Sequence, residues 1–285
     1  MWLLPPGEYA PGRQKKEARK EEKKMKKNIY KAGAVFFGII LVISVAFLIR
    51  NAIVEKRAEN QYEELTQNTQ KEAVVVTEEV SENEDELTVA IPQKQFDWTA
   101  ILEECKDIYA WIYIPGTNVD YPILQSAEDM EEDYYLDHNL DGSQGYPGCI
   151  YTQKLNKKDF SDYNTVIYGH NMKNGTMFKT LHDYEDETFF QENRYIYIYL
   201  PDGKTKVYEI YGAYTFTDAH ILLTYGCDSE ESFKEYLELI GPDTFTGHFR
   251  EDIEVTEKDK IITLSTCTNS SATRYLVQGV YLGEK

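Results

Sequence analysis

The sequence predicts a mostly β fold, a closed barrel that follows one membrane-spanning helix. Short runs rich in β-branched and aromatic residues recur from residue 96 onward, separated by turn residues and with few helical stretches between them. No internal repeat is visible, which argues for a barrel over a stacked array. Upstream, Ala32 to Ile49 reads AGAVFFGIILVISVAFLI without a charge, close to the roughly 20 apolar residues that cross a bilayer.

The N-terminal elements follow from charge. Residues 1–31 carry ten Lys or Arg against four Glu, a net +6, so the positive-inside rule makes them a basic cytoplasmic tail and sets everything after residue 50 outside. No Ala-x-Ala-like site precedes Arg50, so residues 32–49 read as an uncleaved transmembrane signal anchor, giving a single-pass protein of the cell membrane. Met25-Lys26-Lys27-Asn28 would open a conventional anchor by itself, which makes Met25 an alternative start to Met1. The whole chain carries −19, which leaves −25 for residues 32–285; such an exterior repels nucleic acid, and no nucleic-acid partner is expected.

Residues 50–95 are rich in Glu, Gln, Asn, Lys and Thr, with an acidic run from Ser81 to Glu86. They read as an acidic extracellular stalk whose first part continues as helix. Residues 96–285 then form the folded domain. Trp98, Ile101, Leu102, Cys105 and Ile108 fall at helical spacing and predict one amphipathic helix over 96–113, while Trp111 to Ile114, a Pro115-Gly116 turn and Val119 to Leu124 read as strand, turn, strand. Further strands are expected at 148–153, 165–170, 195–200, 204–216, 260–267 and 274–282, the third and fourth joined by a tight turn at Pro201-Asp202-Gly203. A helix at 228–240, N-capped by Asp228 with Glu231 three positions on and stopped by Gly241-Pro242, covers an open end of the sheet.

The four cysteines, Cys105, Cys149, Cys227 and Cys267, show no CxxC pattern and irregular spacing. Cys105 and Cys149 are expected to be small buried apolar residues, with a disulfide as the alternative, and no metal is implied. Cys267 differs from the others. The apolar strand stops there and gives way to the polar loop Thr268-Asn269-Ser270-Ser271, and functional groups concentrate where a rigid strand meets a loop.

A thiol nucleophile needs a basic partner. Of the five histidines, His170 alone follows a β run, Val166-Ile167-Tyr168, and a glycine; His138, His182, His220 and His248 read as surface residues. Arg274 opens the strand after Cys267, where a guanidinium can bind a substrate carbonyl and its oxyanion; pairing with the acidic exterior is the bland alternative. Ser265 shares the Cys267 face of its strand and, with Thr266, is a substrate-binding candidate, with packing as the competing role.

Thr263-Leu264-Ser265-Thr266-Cys267 with Arg274 on the next strand, and Tyr168-Gly169-His170-Asn171-Met172 upstream, resemble the active-site motifs of sortases, specifically class B. Trp111 to Pro122, Met177-Phe178, Phe189-Phe190 and the helix at 228–240 support the resemblance over about residues 96–282. It implies an eight-stranded sortase barrel and a cysteine transpeptidase on a Gram-positive surface, with His170, Cys267 and Arg274 in the catalytic places, no cofactor, and two partners: surface proteins bearing a C-terminal sorting signal, cleaved after Thr, and an amine of peptidoglycan or its lipid-linked precursor. Two departures stand out. The interval from Cys267 to Arg274 is short, and there is neither a second apolar span nor an Asp-Pro-aromatic lid of the kind a pilin-polymerising sortase would carry. A secreted cysteine hydrolase of the peptidoglycan endopeptidase kind and a tethered non-catalytic binding module are the competing functions.

Overall fold

A computed structural model describes residues 11–71 and 89–285. The acidic run at 81–86 and residues 1–10 of the basic tail lie outside the described residues. The chain divides into two units, Met1–Ile53 and Val54–Lys285. In the first, the described residues belong to helix α1 (Pro11–Thr69), and its apolar run is exposed and long enough to cross a membrane by length and composition.

The second unit is built on strands. After β1 (Gln70–Lys71), β2 (Gln95–Phe96) and helix α2 (Trp98–Glu104) come β3 (Ile108–Tyr113), β4 (Asp120–Gln125), β5 (Ile150–Thr152), β6 (Asn164–Tyr168), helix α3 (Glu187–Glu192), β7 (Tyr195–Tyr199) and β8 (Thr205–Thr217). Helices α4 (Ile221–Tyr225) and α5 (Glu230–Leu239), then β9 (Gly247–Phe249), β10 (Ile261–Cys267) and β11 (Thr273–Glu284), complete the unit. The large sheet runs β11-β10-β6-β5-β4-β3-β7-β8-β9, and β11 also pairs with β8. That last pairing closes eight strands into a ring and leaves no open edge between them. β9 stands outside the ring, paired with the C-terminal half of β8 through Gly212–Phe249 and Tyr214–Gly247.

The expected barrel is therefore present, with local corrections. The helix expected over 96–113 ends at Glu104, because Cys105 turns extended and residues 108–113 are claimed by β4 and β7 on either side. Cross-strand hydrogen bonds outweigh a helical spacing of apolar side chains here. The helix near 230 is capped by Ser229, not Asp228: Ser229 and Ser232 form a reciprocal capping box, and Asp228 accepts from Ser232 Oγ instead. The turn at 201–203 forms as expected, with Gly203 at φ +87° and its N–H donating to the Leu200 carbonyl.

Alternation along the strands explains where the core lies. Ile167, Ile262, Leu264 and Val277 join the interior cluster with Ile112, Ile123 and Ile198, whereas Val166, Ile261, Leu276 and Val280 point the other way into a second cluster with Tyr214, Phe216, Phe233 and Tyr236. β6, β10 and β11 are thus apolar on both faces. The helix α5 packs Phe233 and Tyr236 against the outer face of these strands, which corrects the expectation that it covers an open end. Beyond this second cluster the same outer face runs on toward the strand ends and becomes a cleft.

Candidate active site

Four strands present the cleft by simple pleating. Tyr151 and Gln153 at the end of β5, Tyr168 and His170 at the end of β6, Ser265 and Cys267 on β10, and Arg274 and Leu276 on β11 line one cavity of about 300 Å3. Each pair is two residues apart and shares a face. Register brings them level: Ser265 is the partner of Tyr168 across the parallel β6–β10 ladder and of Leu276 across β10–β11, and Cys267 is directly paired with Arg274. Residues 268–272 make a tight connection in which Thr268 Oγ1 bonds Thr273 Oγ1 at 2.5 Å, and no longer loop intervenes.

The remaining cysteines sit in different surroundings. All four are free; Cys267 is exposed, whereas Cys149 is buried and Cys105 half-buried. Burial pushes the Cys149 thiol up and the Cys227 thiol up to about 12, so neither supplies a thiolate near neutral pH.

His170 follows Gly169, whose N–H donates to the Ser265 carbonyl at 3.2 Å. A Cβ at Gly169 would lie 2.5 Å from Ile150 Cδ1 and 2.7 Å from Phe178 Cδ2, so a side chain here would crowd the packing from which the imidazole projects into the cleft. His170 Nε2 is 2.7 Å from the Leu136 carbonyl, and the Tyr146 ring meets the imidazole edge-on at 5.0 Å. Burial lowers the His170 pKa from its ordinary value, opposed by the Leu136 hydrogen bond and the charge of Asp137. Arg274 is half-buried, and its Nη1 donates to the carbonyls of Thr273 at 2.9 Å and Ser271 at 3.2 Å. Ser265 faces the cleft. Thr266 borders it too, but alternation turns its side chain to the barrel interior, where Oγ1 is buried without a protein partner.

Two histidines read from the sequence as surface residues belong to the site's surroundings. His182 Nε2 is 3.0 Å from the Cys267 carbonyl oxygen, its Nδ1 is 2.6 Å from Glu185 Oε1, and its ring stacks on Tyr275. Asn171 Nδ2 donates to the same carbonyl at 2.8 Å. His220 lines the cleft: its Nδ1 accepts from the Leu223 N–H, so Nε2 carries the proton and donates to Gln153 Oε1 at 2.8 Å, while Gln153 Nε2 donates to Asp133. His182 follows no β run, and His220 stands three residues beyond β8 with no glycine before it, so neither carries the strand-then-glycine pattern that singled out His170.

A thiol at a strand end, an imidazole from the parallel neighbour and a guanidinium directly across the ladder are the parts of thioester-mediated acyl transfer. The sortase domain model matches residues 112–281, the span that carries all three. This chain belongs to the sortase family. The Sortase B of Listeria monocytogenes is 37% identical over 163 residues, which covers 57% of this chain and 63% of that protein. The Sortase B of Staphylococcus aureus is 28% identical over 165 residues, 58% of this chain and 65% of that protein. The match thus spans just under two thirds of either curated relative. Among solved structures, the sortase B of Clostridium perfringens superposes with a TM-score of 0.57 at 29% identity, covering 66% of this chain and 100% of that one. The sortase B of Bacillus anthracis gives 0.59 at 26%, covering 82% and 97%. The likeness of this sortase is therefore to class B.

Proposed function

We propose that this sortase is a membrane-anchored cysteine transpeptidase, with Cys267 as nucleophile, His170 as acid–base group and Arg274 as oxyanion stabiliser. The observation that carries the reading is the convergence of these three side chains, with Ser265, on one cleft. In the first half-reaction His170 takes the Cys267 thiol proton as the sulfur bonds the Thr carbonyl carbon of a sorting peptide, and gives that proton to the departing amine as the C–N bond breaks. An amine of peptidoglycan or its lipid-linked precursor then attacks the thioester, its N–C bond forms as C–S breaks, and His170 passes the proton lost by the amine to the sulfur, which regenerates the thiol. Arg274 holds the developing oxyanion in both steps. On the same reading, residues 1–31 are cytoplasmic, 32–49 span the membrane, and 50–95 link the span to the extracellular catalytic domain at 96–285.

The test uses the full chain in detergent micelles with a library of Thr-containing pentapeptides, with and without hydroxylamine or triglycine as acceptor. Amine-dependent hydroxamate or ligated product, abolished by Cys267→Ala, is the expected result. Cleavage to the free acid alone under every acceptor would place the protein with the hydrolases, and cleavage that survives Cys267→Ala would remove the thiol from the chemistry.

A further inference from the structure

The part of α1 that belongs to the second unit carries an apolar stripe. Ala58, Tyr62 and Leu65 are 1%, 8% and 5% exposed, at helical spacing, on an otherwise charged segment. A tether needs no such stripe.

This part of α1 touches the two loops that flank His170. On the first, residues 134–148, Tyr62 Oη donates to the Gly148 carbonyl at 3.1 Å, Arg57 Nη2 meets Asp141 Oδ2 at 3.2 Å, and Val54 Cγ1 lies 3.0 Å from where a Cβ on Gly145 would sit. Gly148 is pressed onto the loop's other end, since a Cβ there would stand 2.6 Å from the Leu136 oxygen and 2.7 Å from that of Tyr135, and Cys149 N–H donates to Tyr135 O at 2.9 Å. That same Leu136 carbonyl holds His170 Nε2, and Tyr146 of the same loop covers the imidazole ring. On the second loop, residues 171–177, Asn174 Nδ2 donates to Glu55 Oε1 at 3.3 Å and to Glu59. It is closed by the Asn171–Met177 bridge and by Phe178 N–H donating to the His170 carbonyl at 3.0 Å.

We infer that residues 54–65 of α1 are a positioning element for His170, gripping through Gly148 and Asn174 the two loops that fix its imidazole. The functional meaning rests on the reading of His170 as the acid–base group. The segment follows the apolar run directly in sequence, so the stretch nearest the anchor is the one that sets the histidine. Tyr62 is the principal contact, because it combines a hydrogen bond to the first loop with an edge-on ring contact to Tyr121 at 5.4 Å, whose hydroxyl accepts from the Met177 N–H.

The test is a histidine-selective NMR titration of the full chain in micelles, with His170 assigned through His170→Gln. Burial is the largest influence on His170, so loosening the loops hydrates the ring and moves its midpoint upward toward the ordinary histidine value. Tyr62→Ala is expected to shift the His170 resonance and raise its midpoint. Tyr62→Phe, which keeps the ring but not the hydroxyl, is expected to shift it less, and Asn174→Ala reports on the second loop without touching the stripe. A His170 resonance and midpoint unchanged in Tyr62→Ala and Asn174→Ala, with only the thermal midpoint lowered, would overturn the inference; were Tyr62→Ala not to fold, an unchanged His170 in Asn174→Ala and Arg57→Ala would do the same. Failure of the underlying reading looks different: His170→Ala would keep amine-dependent turnover while the titration shifts persist.

Discussion

His182 Nε2 stands 3.0 Å from the carbonyl oxygen of Cys267 and 3.0 Å from Asn171 Nδ2, so a second histidine braces, from outside the cleft, the amide that holds the backbone of the proposed nucleophile. The His182 Nδ1–H donates to Glu185, which leaves Nε2 to accept from Asn171 Nδ2; Tyr275 stacks on the ring, and the same Asn171 amide donates to the Cys267 carbonyl. The effect is to pin the last residue of β10 at the point where the strand would otherwise fray. His182→Ala, which leaves Asn171 unbraced, is expected to lower kcat by about twofold to tenfold with KM little changed, the scale of one lost neutral hydrogen bond of roughly 0.5–1.5 kcal/mol. His182→Gln, whose amide oxygen can accept from Asn171 near the ε position, is expected to recover most of the loss. Steady-state kinetics of amine-dependent product with both variants is the check.

Arg274 faces a different demand. Its Nη1 is engaged by the carbonyls of Ser271 and Thr273, which aims the guanidinium along the β10–β11 connection and leaves the rest of the fork for the cleft. A lysine carries the charge but cannot hold the loop and an oxyanion together. Arg274→Lys is therefore expected to cost about 10²–10³ in kcat, the scale of removing an oxyanion donor. Rates within a fewfold of wild type would take the oxyanion role away from this residue.

What the sequence disclosed and what it withheld divide along the range of the interactions. His170, Cys267 and Arg274 were legible because each ends or opens an apolar run, and a strand end next to a polar loop is a local pattern. The short 268–272 connection, read as a departure, joins two residues that are direct partners, a pairing only register reveals. His182 and His220 were lost because their partners, the Cys267 carbonyl and Gln153, lie 85 and 67 residues away. The helix expected over 96–113 failed for the same reason: residues 108–113 are held by strands on both sides, a tertiary demand that overrides spacing.

His170 makes a prediction about pH. Its folded pKa is lowered by burial below the ordinary value of 6.5, so in the window between the two the unfolded chain binds more protons than the folded one. Stability then rises with pH across that window: the histidine adds no penalty above the ordinary value, and the penalty grows as pH falls below it until the folded-state imidazole is itself protonated. The thermal midpoint of the wild-type chain is expected to fall as pH is taken from about 8 to about 5, and His170→Gln to flatten part of that slope. Parallel slopes in the two proteins would show that the imidazole is not held in its neutral form by the fold.

The outer-face core yields the last prediction. Gln278 on β11 is fully buried, and its amide is saturated by side chains: Oε1 accepts from the hydroxyls of Tyr211 and Tyr214, each at 2.8 Å, and Nε2 donates to Tyr236 Oη and Thr263 Oγ1, each at 2.8 Å. Thr263 Oγ1 donates onward to Asn164 Oδ1, so one amide joins β6, β8, β10, β11 and α5. Replacement by methionine keeps the volume but removes a hydrogen bond from four buried hydroxyls at once, and buried donors and acceptors left short of partners are costlier than the bonds are favourable. Gln278→Met is expected to destabilise the domain by about 2–4 kcal/mol, read from denaturant midpoints at unchanged m-value. Gln278→Glu tests the same hub from the other side: it keeps an acceptor for Tyr211 and Tyr214 but turns the donor end into a second acceptor, so Tyr236 and Thr263 must both reverse their hydroxyls. Thr263 would then lose its bond to Asn164, whose Nδ2 is already buried without a partner, and the loss is expected to be at least as large as for methionine.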